Sequence, residues 1–289
     1  MTAAENNPRP LSSFEEDIAA LEALGHGLGH RVAEKHGERS LLGFQAEWHI
    51  RGVLYHLRRL FEMHGQFVDE VIARAGAGAK ALFMYAPSYQ RMLFEFYALV
   101  NLCRISLDNL SVYLRPLFTR RSDQLPKSVR DVLKGSTNCP VYNVLSGQDA
   151  LDYLLDIRDC LVHYRSFATS DNAFVHEQGT DATELVNGDD EYIAAMARAD
   201  FRRVGETAIA VNVLLPDQIF EMTATGDKRL VQFTYHERWN LLSMARTFAQ
   251  LAVTSLKGAL EALAGIDTPV FEFSAKRRRA QPGAPGGTG

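Results

Sequence analysis

The chain has 289 residues, of which 46% are hydrophobic and 23% charged, so it can bury a substantial core as one large domain or two small ones. Its net charge of −4 and pI near 6.1 exclude a global attraction to nucleic acid. Any such contact has to come from a local basic patch on what otherwise reads as an ordinary soluble globular protein.

Residues 1–12 form a polar, proline-bearing lead-in, expected to be disordered and without the pattern of a signal peptide. Ser13 and Glu16 have capping-box spacing and open a helix to about Leu24, which Gly25, Gly27 and Gly29 interrupt. Trp48, Val53, Leu57, Leu60, Phe67 and Val71 recur near a 3.6-residue period and predict a long helix over 41–74, ended by Gly76 and Gly78. Tyr85–Ser88 marks a boundary before an apolar helix over 88–115, which Pro116 closes. The apolar stretch Met92–Phe118 carries Glu95, Arg104, Asp108 and Arg115, charges a bilayer would penalise, so it is read as a buried core helix.

Thr119–Pro140 is basic, with Arg120, Arg121, Lys127, Arg130 and Lys134, and holds a short helix at 126–134. Ser146 and Asp149 are spaced to cap a helix over 147–165. From 167 to 235 the pattern changes to alternating or β-branched segments at Asn172–His176, Thr207–Leu215 and Arg229–Tyr235, separated by turn signals such as Asn187/Gly188 and Thr225/Gly226. Thr234 and Glu237 repeat the capping-box spacing and start a last helix through Ala264. Asp267–Pro269 should end the compact region, and 276–289, a Lys276–Arg279 basic run with a Pro/Gly-rich end, should be disordered. The expected fold is mainly α, an antiparallel helical bundle over 13–268 with a small antiparallel β insertion at about 167–235.

Cys103, Cys139 and Cys160 lie far apart, in no CxxC or Cys/His metal spacing, and read as the reduced thiols of a cytoplasmic protein, Cys103 and Cys160 in the core. His26, His30, His36, His49, His56 and His64 crowd the N-terminal part, where surface or interface positions account for them better than a metal site. No cofactor-binding motif is present, neither a phosphate loop nor a GxGxxG nor a GxSxG elbow.

One motif stands out: Arg158-Asp159-Cys160-Leu161-Val162-His163-Tyr164. Arginine presents a permanently charged fork matched to phosphate oxygens, and histidine moves protons near neutral pH, so the pair can do phosphoryl chemistry without a metal. Arg31/His36, Arg51/His56 and Arg59/His64 share the spacing, but Val32, Gly52 and Leu60 follow their arginines. Only the 158–163 copy puts a polar residue there, and Asp159 can reach His163 four residues on to orient it.

This segment resembles the ribonuclease signature of the HEPN superfamily of helical nucleotide-binding proteins: an Arg, a polar residue, mostly apolar positions, then a His near the end of a bundle helix. The resemblance implies a metal-independent endoribonuclease leaving 2′,3′-cyclic phosphate ends, acting as a homodimer on RNA in toxin, antiviral-defence or RNA-processing roles. It makes His163 the general base or acid, Arg158 the stabiliser of the charged transition state, Asp159 the orienter of His163 and Tyr164 a substrate-positioning group. Arg104 and Asp108, an i,i+4 pair on the preceding apolar helix, either bridge each other inside the bundle or join the site as substrate-binding groups. The same residues also allow a non-catalytic module that binds a nucleotide or a protein partner, or a purely structural ion-pair network of Asp156, Arg158, Asp159 and His163.

Overall fold

The computed structural model describes residues 16, 18–23, 27, 32, 40–76, 87–119, 125–146, 148–163, 173–178, 200–204, 207–213, 218–222, 228–232 and 241–275. The long helices are α1 (Ser40–Gly76), α2 (Pro87–Tyr113), α5 (Asp149–His163) and α6 (Leu241–Gly265), with short helices α3 (Val129–Leu133) and α4 (Pro140–Leu145) between them. The fold is mainly helical with small antiparallel sheets, as the hydrophobic periods predict. No helix among the described residues is long and apolar enough to cross a membrane.

Helix α2 is the centre of the bundle. It packs against α1, α6, α5 and α3, and its buried positions run round most of its circumference, from Tyr89, Met92 and Phe96 to Leu107, Leu110 and Tyr113. Helix α1 runs along it closely: a Cβ at Gly52 would meet Leu102 Cδ2 at 2.8 Å. Helix α6 contributes Phe248, Ala252, Val253, Leu256 and Leu260 to the same core. The boundary signals at Gly76, Pro87 and Pro116 fall where the helices end or begin, Pro116 within a 3₁₀ turn over Arg115–Leu117.

Between α2 and α5 the described residues 125–146 hold more regular structure than their polarity suggests. Ser128 caps α3 by accepting from the Asp131 N–H at 3.3 Å. Pro140 opens α4, a helix absent from the sequence expectation, at the position where a missing N–H does no harm. Ser146 is the C-cap of α4, and α5 starts at Asp149, whose carboxylate with that of Asp152 suits the first turn.

The compact region does not stop at Pro269. Val270 and Phe271 donate to the Leu117 carbonyl at 2.8 and 2.9 Å, and Thr119 donates to the Phe271 carbonyl at 2.9 Å. Phe273–Ala275 (β7) then pairs antiparallel with Gly135–Thr137 (β1), burying Phe271 and Phe273. The sequence pattern did not reveal this segment, because its strands are three residues long and their register is set by a partner far away in sequence. The insertion is a three-stranded antiparallel sheet ordered β2 (Ala173–Gln178), β4 (Thr207–Val213), β3 (Asp200–Val204), plus a hairpin of β5 (Gln218–Met222) and β6 (Lys228–Gln232). Strands β3 and β5 were not expected. The capping residues Ser13, Thr234 and Glu237 and the tail 276–289 lie outside the described residues.

At Gly135 the backbone of β1 leaves no room for a side chain against β7. A Cβ there would collide with the Phe273 ring and sit 3.0 Å from the Ser274 carbonyl oxygen. Gly135→Ala should therefore destabilise the fold by about 1–3 kcal/mol, the usual result of overpacking. A lowered urea midpoint at an unchanged m-value is the expected readout, and an unchanged midpoint would show that the ring yields freely.

Candidate functional site

The site starts from a charge inside the core. Arg104 on α2 is 7% exposed, and its Nε lies 3.2 Å from Asp108 Oδ2 one turn on. The approach is off the N–H direction, so the ion pair closes no hydrogen bond, and Arg104 Nε and Nη1 are both buried without an acceptor. Burial lowers the Arg104 pKa, opposed by the carboxylates of Asp108 and Asp159 and reinforced by the guanidinium groups of Arg130 and Arg158. Those four residues thus share one electrostatic neighbourhood, drawn from α2, α3 and α5.

Asp108 is engaged on both oxygens, since Oδ1 also accepts from the Val129 N–H at 3.0 Å. It therefore ties the start of α3 to α2, helped by Ser111, whose hydroxyl donates to the Lys127 carbonyl at 3.4 Å. With α3 docked there, Arg130 reaches α5: its Nη2 lies 2.8 Å from Asp159 Oδ2 and 3.5 Å from Asp156 Oδ1. Asp159 Oδ1 accepts from Arg158 Nη1 at 3.2 Å, while Arg158 Nε is buried without a partner. Asp159 thus stands between two arginines.

Of the sequence-derived residues, Arg104, Asp108, Arg158 and Asp159 come together. The backbone of α5 ends at His163, so that residue belongs to the same last turns, but its side chain and all of Tyr164 lie outside the described residues, as does the side chain of Cys160. The bridge within α2 and the approach of α2 to α5 hold at once: Arg104 pairs with Asp108 and faces the α5 cluster. The ion-pair network runs Asp156–Arg130–Asp159–Arg158, and Arg130 is the member that sequence reasoning missed. Its only signal was the basic composition of 120–134, which cannot say which cation turns inward.

One expectation is corrected, at His64, and Cys139 adds a buried thiol that no expectation covered. Cys139 is buried as completely as Cys103, because it is the N-cap of α4 packed under the bundle. His64 is not a surface histidine but is 2% exposed, on the core face of α1. His49 and His56 do not share partners: His56 Nδ1 lies 2.9 Å from Glu95 Oε2 and His49 Nδ1 2.8 Å from Tyr113 Oη.

No protein-family model, curated protein or solved structure matches this chain. The chemistry of the site therefore rests on its own residues. Three guanidinium groups stand against three carboxylates, and three of their nitrogens, Arg104 Nε, Arg104 Nη1 and Arg158 Nε, are buried without an acceptor.

Asp156 offers a test of the cluster's electrostatics. Its pKa is raised above 3.8, first by partial desolvation, which its half-exposed side chain limits, and then by the Asp152 and Asp159 carboxylates, against the opposing pull of Arg130. A carboxyl raised by folding adds stability below its unfolded pKa and loses it as pH rises through the folded one. Asp156→Asn should accordingly raise the urea midpoint at pH 7, with the gap closing as pH falls toward 3.8. A lower midpoint at pH 7 would mean that the Arg130 contact outweighs the burial.

Proposed function

We propose that this chain is a HEPN-like, metal-independent endoribonuclease that works as a cytoplasmic homodimer. The observation that carries the reading is the end of α5, where Arg158 and Asp159 meet Arg104 and Arg130 in the last two turns before His163. Arg158 and His163 are five residues apart, about 140° around a helix of 3.6 residues per turn. In the proposed homodimer they converge on one phosphate across the interface, Arg158 from one copy and His163 from the other.

In the reaction, His163 takes the proton of an RNA 2′-hydroxyl and the 2′-oxygen bonds to phosphorus. The bond from phosphorus to the 5′-oxygen then breaks, and the 5′-oxygen takes up a proton, supplied in a dimer by the second copy's His163. Arg158 stabilises the charge that grows on the phosphoryl oxygens. Arg104, held from behind, offsets the carboxylates around Arg158, and Tyr164 positions the substrate. The products are a 2′,3′-cyclic phosphate and a free 5′-hydroxyl.

Purified protein in chelator should cut RNA to such ends, and His163→Ala or Arg158→Ala should lower the rate at least 100-fold, about the share of one acid–base or charge-stabilising group. Cleavage that survives both substitutions sinks the assignment. Solution mass should report a dimer, and a strict monomer would remove the source of the second proton.

A second reading, a HEPN-like module that binds a nucleotide or a protein partner without cutting, is favoured by one contact set. Asp159 is held by Arg130 and Arg158, so it orients guanidinium groups. Saturable nucleotide binding by uncut protein, lost in Arg158→Ala, would support it.

A further inference from the structure

The groove between α1 and α2 holds a second set of groups that the proposed reaction does not use. A cleft of about 320 Å3 is lined by Gln45, Trp48, His49, Asn109, Val112 and Tyr113. Trp48 is 76% exposed, although indole is among the side chains with most apolar area to bury. Beside it, Tyr113 Oη and His49 Nδ1 are 2.8 Å apart. Burial pushes the Tyr113 phenol up to about 12 and lowers the His49 imidazole, so near neutral pH the phenol keeps its proton and the ring is uncharged. The phenol then donates to Nδ1, which assigns the ring proton to Nε2 as a free donor. Gln45 and Asn109 each bring an amide with two donors and an acceptor, and neither side chain makes a hydrogen bond within the described residues.

The lining carries no formal charge. A metal ion would need carboxylates there, and a phosphate would need the arginines that lie elsewhere. A flat π-face at the rim with unused amide groups beside it suits a planar ring that has polar atoms on its edge. The volume lies at the small end of the roughly 300–1,000 Å3 typical of ligand clefts, which fits one base better than a whole cofactor.

The position matters as much as the chemistry. Asn109 follows Asp108 directly, and it lies five residues beyond Arg104, about 140° further around α2. The cleft and the arginine cluster therefore lie on different faces of one helix.

We propose that this cleft is a nucleobase pocket in which Trp48 stacks on a base of single-stranded RNA while Gln45, Asn109 and His49 contact its polar edge. The proposal rests on the ribonuclease reading above and specifies its substrate as unpaired RNA. Sequence-tolerant stacking gives grip on the strand, and the amides give a preference among bases.

The sequence contains two tryptophans, Trp48 and Trp239, so a Trp239→Phe chain reports on Trp48 alone. A 2′-O-methyl hexa-adenylate, whose 2′-oxygen has no proton to lose, should quench Trp48 emission saturably, and inorganic phosphate should not. In anisotropy with the labelled oligomer, Trp48→Ala should weaken binding roughly 5- to 150-fold, the range of one base–aromatic stack, while Trp48→Phe keeps most of the affinity. His163→Ala should lose cleavage yet retain the quenching, so failure of the reaction and failure of the pocket are separate results. No quenching, together with wild-type binding and cleavage by Trp48→Ala, overturns the pocket and leaves the ribonuclease standing. Trp48 emission that shifts with protein concentration alone would assign the cleft to contact between copies and overturns it too.

Discussion

Burying Arg104 inside α2 is the constraint from which the rest of the site follows. A guanidinium taken out of water needs a counter-charge within reach, and Asp108, one turn along, supplies it. That carboxylate has two oxygens, and the second accepts the Val129 N–H. The ion pair inside the bundle thereby decides where α3 sits, and α3 decides where Arg130 points. A change at Asp108 would be felt at Asp159 on another helix, with no contact between the two.

The cluster is balanced in charge but not in hydrogen bonds. Breaking a buried pair leaves an uncompensated charge, whereas replacing the whole set with apolar residues is often harmless, so such networks are weak evidence for stability. Here the unused donors on Arg104 and Arg158 say more than the pairs themselves. Native interiors leave few polar atoms without partners, and those left over mark places where another acceptor belongs. The acidic residues of α5 temper the field, so an anion would be held by directed N–H groups more than by net charge.

The C-terminal segment does mechanical work at a distance. By pairing with β1 and with 117–119, residues 270–275 close the far side of the connection that carries α3. The arginine cluster is thus set between two anchors, Asp108 and Ser111 on α2 and the β1–β7 pair. Both anchors act on the backbone, so Arg130 is placed by main-chain geometry while its own side chain stays partly exposed.

Much of the helical framework was legible in the sequence, because a helix that buries one face must repeat its apolar residues at its own period. The limits of α1 and α2 follow from Gly76, Pro87 and Pro116, which act on the backbone of their own neighbourhood. The Arg104–Asp108 pair and the Arg158–Asp159 motif were visible for the same reason: each is a local spacing. Helix α4 and strands β1 and β7 were not, since elements of three to six residues carry too little pattern and owe their form to distant partners. Burial of Cys139 and His64, the choice of Arg130 from a basic stretch, and the placing of Trp48 and Asn109 in one cleft between two helices were decided only when the helices packed. Periodicity and capping act over a few residues and can be read from the chain. Which charge meets which, and which aromatic ring is left facing solvent, depends on the angles between helices, and no local spacing encodes those.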